Sequence, residues 1–339
     1  MARELQKGIL YVLKLEDPAG GTVPPFYKIG ITTGTLDKRI NILQTGNPYK
    51  IVPHHTMEVE GAEFVERHLH RLYSSKRRIL EWFEFTSEEI EEVIEVAKDY
   101  AQQFSDLVVE IRSLDQKHSN GINISSTPEV LDLHKEALRL EGLKTKLELE
   151  QSIIKSRLLS LVGTSRGIPG IVRVSIYKGI TSFKMVELRK NEPEVYDKYL
   201  TKVEFSQRMK LSGKSKPSDF KQLFEEKKAA ATLIKKVEVS DVGSDKIERD
   251  TSSVELHEKY IQFIEEIGKI KIDLDLVKMK LKSHCGENSG IDDVCTYIRE
   301  DKKKFDREKF EADHPHLVKK YTTTGSDRRV VLVSKSRAY

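Results

Sequence analysis

Cysteine is nearly absent from this chain: Cys285 and Cys295 are the only two in 339 residues. That is too few for a disulfide framework. With His284 they do not form a zinc motif either, because a fourth ligand and paired spacing are missing. No apolar run approaches the roughly 18 residues that a membrane span needs. The first residues, Met1-Ala2-Arg3-Glu4, lack the apolar core of a signal peptide. The expectation is therefore a cytoplasmic protein with no membrane partner. A strong charge bias is missing too: the net charge is +4, and residues 1–100 hold 13 Lys and Arg against 16 Asp and Glu. The basic excess lies in the remainder, so any electrostatic hold on phosphates would lean there.

What is present is charge and helix. Charged residues make up 33% and hydrophobic ones 38%, and the length suits two or three domains. The start predicts an α+β head, an antiparallel sheet flanked by helices. Residues 8–15 and 26–32 read as strands joined by a turn-rich loop. A helix follows over 36–43, stopped by Thr45-Gly46-Asn47-Pro48, then a strand over 51–59 and a helix over 61–73. Glu81-Trp82-Phe83-Glu84-Phe85 closes the unit as a strand. Thr86 to Glu89 fits a capping box, opening a helix with a heptad seam of Val93, Ala97, Tyr100, Phe104, Leu107, Ile111 and Leu114. The polar stretch from Asp115 to Thr127 reads as a linker.

The remainder contains an internal repeat. A shift of 123 carries Leu133-His134 to Leu256-His257, Gly163 to Gly286 and Gly167-Ile168 to Gly290-Ile291. After one deleted residue, a shift of 122 carries Phe183 to Phe305, Pro193 to Pro315 and Lys198-Tyr199 to Lys320-Tyr321. Each copy predicts a long helix, a Gly turn, a β-prone stretch, a Pro-led short helix and a final strand. The expected layout is a head over 1–86, a connecting helix and linker over 87–127, repeats over 128–212 and 254–335, and between them a linker (213–253) with a helix from Ser218 to about Lys236. The copy-two helix has an apolar coiled-coil seam: Leu256, Tyr260, Phe263, Ile267, Ile270, Leu274, Val277, Leu281. In copy one, Lys144 and Gln151 interrupt it, either to fix register or because the helix is exposed there. Such heptads would support a homodimer.

Gly8-Ile9-Leu10-Tyr11, Tyr27-Lys28-Ile29-Gly30-Ile31-Thr32, Leu36-Asp37-Lys38-Arg39 and Ala62-Glu63-Phe64-Val65-Glu66 follow in order over about residues 7–86. This ordered set resembles the GIY-YIG nuclease superfamily. The Lys-Ile-Gly variant, Gln44-Thr45-Gly46-Asn47-Pro48 and Glu81-Trp82-Phe83 are similar to a phage and bacterial branch often labelled DNA-binding. The resemblance implies DNA as partner and phosphodiester hydrolysis by an endonuclease with one divalent ion, Mg²⁺ or Mn²⁺. Glu66 would hold the metal, with His70 one turn on. Arg39 would steady charge on the phosphoryl oxygens. Tyr11 would accept a proton from the attacking water, provided cations lower its pKa. Lys38, Arg39 and Asn47 would touch DNA, although Asn47 also suits a turn.

The chain departs from that pattern in three places. Lys28 replaces the second signature Tyr, to act as base or as phosphate-binding charge; Tyr27 cannot substitute because strand neighbours point to opposite faces. Leu43 stands where the family often has His, and no Asn closely follows Glu66. A non-catalytic DNA-binding protein or scaffold with a degenerate site is thus the competing reading. Phe305-Asp306, Phe310 and the run from His314 to Tyr321 resemble, more weakly, the C-terminal tail of phage recombination exonucleases of the YqaJ type. That resemblance implies accessory repeats for DNA contact or assembly.

Overall fold

The computed structural model describes residues 6–213, 217–234 and 237–335; the N-terminal Met1–Glu4 and Lys235–Lys236 lie outside them. Its architecture is the expected α+β one. In the head, β1 (Gly8–Glu16), β2 (Phe26–Thr32), α1 (Leu36–Gln44), β3 (Lys50–Val59) and α2 (Ala62–Leu72) follow the sequence pattern closely. The closing strand is β5 (Trp82–Glu84), as expected, and a further short strand before it, β4 (Arg77–Ile79), pairs with it as a hairpin. The five strands form one antiparallel sheet in the order β3-β1-β2-β5-β4.

Alternation along β1 gives this sheet two cores. Leu10 and Val12 pack with Val65 and Leu69 of α2 and with α3 (Ser87–Leu114), whose Thr86 capping box is formed. Tyr11, Leu13 and Leu15 face the other way, onto Leu36, Ile40 and Leu43 of α1. The seam of α3 is used twice. Val93 and Ala97 enter the head, whereas Phe104, Val108 and Ile111 pack on Ile272 and Met279 of the copy-two helix.

The segment read as a linker is built in. Asp115 is buried and accepts the Tyr297 hydroxyl proton, and Arg299 donates to the Leu114 carbonyl at 3.1 Å. β6 (Asn123–Ile124) then joins the sheet of copy two. Polar residues there satisfy buried partners, which composition alone cannot distinguish from solvation.

Copy one comprises α4 (Pro128–Val162), β7 (Gly167–Ile168), β8 (Val172–Tyr177), β9 (Thr181–Phe183), α5 (Met185–Asn191), α6 (Pro193–Lys198) and β10 (Lys202–Leu211). The joining segment holds α7 (Lys221–Thr232), shorter than expected at both ends. Copy two comprises α8 (Thr251–Cys285), β11 (Gly290–Ile291), β12 (Cys295–Lys304), α9 (Arg307–Asp313), α10 (Pro315–Lys320), β13 (Thr322–Thr324) and β14 (Arg328–Val333). The two copies interlock. β10 pairs with β12 of the other copy, β14 pairs with β8, and β9 pairs with β13. The Leu-His landmark anchors these exchanged strands: His134 bonds the Ser212 carbonyl at 2.7 Å and His257 the Ser334 carbonyl at 3.0 Å.

α4 and α8 pack along each other, antiparallel, as the ion pairs Glu141–Lys278 (2.7 Å) and Glu148–Lys271 (3.3 Å) show. Ile267, Ile270 and Leu274 are buried against Leu140 and Leu147. The heptad seam that suggested a homodimer is therefore filled within one chain. Cys285 and Cys295 are free buried thiols, their sulfurs 3.6 Å apart in the same core. Among the described residues, no helix is long and apolar enough to cross a membrane.

Candidate active site

The register of β1 on β2 places the first two candidates. Tyr11 stands opposite Gly30 and Leu13 opposite Lys28, so Tyr11 and Lys28 share the face covered by α1. Gly30 is dictated by that register: a Cβ there would come within 2.5–2.7 Å of the Tyr11 ring and hydroxyl. Tyr27 takes the opposite face, edge-on to His54 at 5.3 Å.

Tyr11 is fully buried, and the Arg39 Nε–H donates to its hydroxyl at 3.0 Å. Neither Asp37 nor Glu63 pairs with Arg39 among the described residues. Burial pushes the Tyr11 phenol up, against the lowering effect of Arg39. It therefore keeps its proton at neutral pH. Lys38, the residue before Arg39 on α1, is exposed.

Lys28 is only 5% exposed, and its ammonium pairs with the Glu81 carboxylate beside the Trp82 ring. Burial of Glu81 opposes ionisation, but the hydrogen bond and charge of Lys28 outweigh it and hold the carboxyl below its usual range. Lys28 is thus committed to Glu81. β5 covers β2 only over Phe26–Lys28, and His70 of α2 takes the Ile29 carbonyl beyond that edge at 2.9 Å. Burial lowers the His70 pKa, so this is a neutral imidazole donating through Nε2.

Glu66 lies one turn before His70 and is half-buried. Among the described residues it has no hydrogen-bonded or ion-paired partner. Burial, with Glu81 and Glu63 nearby, raises its carboxyl from 4.5 to about 7, against Lys28 and Arg39. Arg77 is half-buried within the field of Glu66 and Glu81, and its Nε atom is buried without a hydrogen-bond partner among the described residues. Tyr11, Lys28, Arg39, Glu66 and His70 thus meet at one place. Asn47 is used locally: its Oδ1 accepts the Tyr49 N–H at 3.0 Å, closing the turn after α1.

Among the described residues no group of three or more His, Cys, Asp or Glu could hold a metal. That argues against a zinc-type cage, which needs at least three protein ligands. Mg²⁺ or Mn²⁺ would not need such a group, since one or two carboxylates plus water and phosphate oxygens can hold either ion. Glu66, without a partner among the described residues, is the carboxylate that could hold such a cation. Glu81 and Arg77 were not among the sequence candidates. Glu81 opens the Glu-Trp-Phe run, but its pairing with Lys28 is set by how β5 docks on β2 and leaves no local pattern.

The span holding these residues matches the model of the T5orf172 domain over residues 8–98, which reaches from β1 into α3. No curated protein and no solved structure matches the chain.

Proposed function

We propose that the protein is a metal-dependent DNA endonuclease that hydrolyses phosphodiester bonds at the cluster around Glu66. The observation that carries this reading is Glu66 itself, a half-buried carboxylate without a partner among the described residues, in the electrostatic field of Arg39, Lys28 and Glu81. An Mg²⁺ or Mn²⁺ ion held by Glu66 would neutralise charge at the scissile phosphate. To hold such an ion Glu66 would have to be deprotonated.

Arg39 spends only Nε on Tyr11, which leaves its terminal N–H groups for phosphoryl oxygens. Tyr11 aims the guanidinium; only as a phenolate could it accept the water's proton, so it would first have to release its own to solvent once additional positive charge lowered its pKa. Lys28 holds Glu81 in place rather than acting as base, and His70 fixes α2 to β2. Lys38 adds a phosphate contact on the exposed side of α1. The C-terminal repeats contribute DNA contacts.

The second reading, a DNA-binding protein without catalysis, draws on one observation: Lys28, His70 and Tyr11 are each engaged in structural contacts. Incubating plasmid and single-stranded DNA with Mg²⁺ or Mn²⁺ separates the two, comparing wild type with Glu66→Ala and Arg39→Ala. Metal-dependent cleavage lost in both variants supports the nuclease. Salt-sensitive binding without cleavage under either ion supports the binder.

A further inference from the structure

Behind Glu66 and His70 the head does not close on the helix pair. A cleft of about 730 Å³ separates α2 and the following turn from α4 and α8. Its floor is apolar, formed by Tyr260, Ile264 and Ile267, and its rim carries Arg67, Arg71 and Arg77 from the head with Lys155 and Lys271 from the helices. Glu63 and Glu148 also line it, the latter 3.3 Å from Lys271. Ser74 Oγ and Arg77 Nε are buried at this cleft without a hydrogen-bond partner among the described residues.

The duplication makes one of these cations conspicuous. Lys155 and Lys278 are equivalent in the two copies, related by the same shift of 123. Lys278 pairs with Glu141 at 2.7 Å. The residue equivalent to Glu141 in copy two is Ile264, so Lys155 lacks that partner and has no other among the described residues. Gln151, one turn earlier, interrupts the apolar seam where α4 faces the cleft. At Gly268 the α8 backbone approaches Arg71, whose carbonyl would lie 3.2 Å from an added Cβ. The helix pair is thereby held close behind the site.

We infer that this cleft binds an unpaired stretch of a nucleic-acid strand, its phosphates on the basic rim and a base against the apolar floor, leading into the Glu66 site. The inference rests on the nuclease reading for what happens at Glu66, but the binding itself does not. A cavity of about 730 Å³ falls within the roughly 300–1,000 Å³ that encloses small ligands, which admits a strand of one or two nucleotides and not a duplex. Phosphate pairing and contact of a base with an apolar surface are what single-strand binding draws on.

The test is fluorescence anisotropy of the full chain in chelator, with labelled single-stranded and duplex oligonucleotides across a salt series. Lys155→Glu should weaken single-strand binding about tenfold and reduce the salt slope by about 0.7 for each phosphate that the rim no longer neutralises. Duplex binding should change little. Lys135→Glu, on the same helix and exposed away from the cleft, serves as control. Unchanged single-strand affinity in Lys155→Glu, or an equal loss in Lys135→Glu, would overturn the inference. Cleavage assays on the same proteins separate the two readings. Intact binding with no cleavage condemns the nuclease alone, and Glu66-dependent cleavage without cleft binding condemns the cleft alone.

Discussion

The Arg39 Nε–H donates to the Tyr11 hydroxyl at 3.0 Å, and the Tyr11 ring lies against Gly30 on the neighbouring strand. Three residues far apart in sequence therefore depend on one another for position. Gly30→Ala should destabilise the head by about 1–3 kcal/mol through overpacking and misplace Arg39. Combining it with Tyr11→Leu should recover part of that loss. Thermal melts of the four proteins measure the coupling, and strict additivity would count against this packing.

Lys28 and Glu81 form a second dependence. Lys28→Met strands a half-buried carboxylate and should cost about 1–3 kcal/mol. Adding Glu81→Gln removes that stranded charge, so the double variant should be more stable than Lys28→Met alone. Were Lys28 the catalytic base instead, Lys28→Met would abolish cleavage with its melting temperature unchanged.

Glu66 gives a pH signature without metal. Its carboxyl is raised from 4.5 to about 7, so its relative stabilisation is complete below 4.5 and lost as pH climbs through about 7. Glu66→Gln removes this loss. Its advantage in melting temperature should grow across that window and level off above it, reaching about 1–2 kcal/mol after allowance for solvent screening. Added Mg²⁺ should stabilise wild type and leave Glu66→Gln unmoved.

The buried seam of α4 and α8 makes a different prediction. Ile267→Asp buries a charge beside Leu147 and Ile270 and should unfold the repeats, costing several kcal/mol. Light scattering with circular dichroism distinguishes this from a dimer contact. A folded variant of lower mass would mean the seam also serves a second copy.

The order of elements in the head, the α3 cap and the duplication were legible because each is a local pattern or a repeat of one. Tyr11, Lys28, Arg39 and Glu66 were legible as an ordered set. Glu81 was not, since the partner of a buried lysine is fixed by strand docking. The exchange of β10 and β14 was equally hidden: in a duplicated sequence a final strand matches its own copy and its twin alike. Lys144 and Gln151 signalled an interruption in α4, but only the docking of the head shows that Gln151 faces a cleft.

The most direct measurement is nicking of supercoiled plasmid by wild type and Glu66→Gln in Mg²⁺ at pH 8, with DNA binding followed in parallel. The account predicts that Glu66→Gln loses cleavage at least about a hundredfold while keeping its affinity for DNA. Undiminished nicking by Glu66→Gln, or wild-type nicking in chelator, would contradict it.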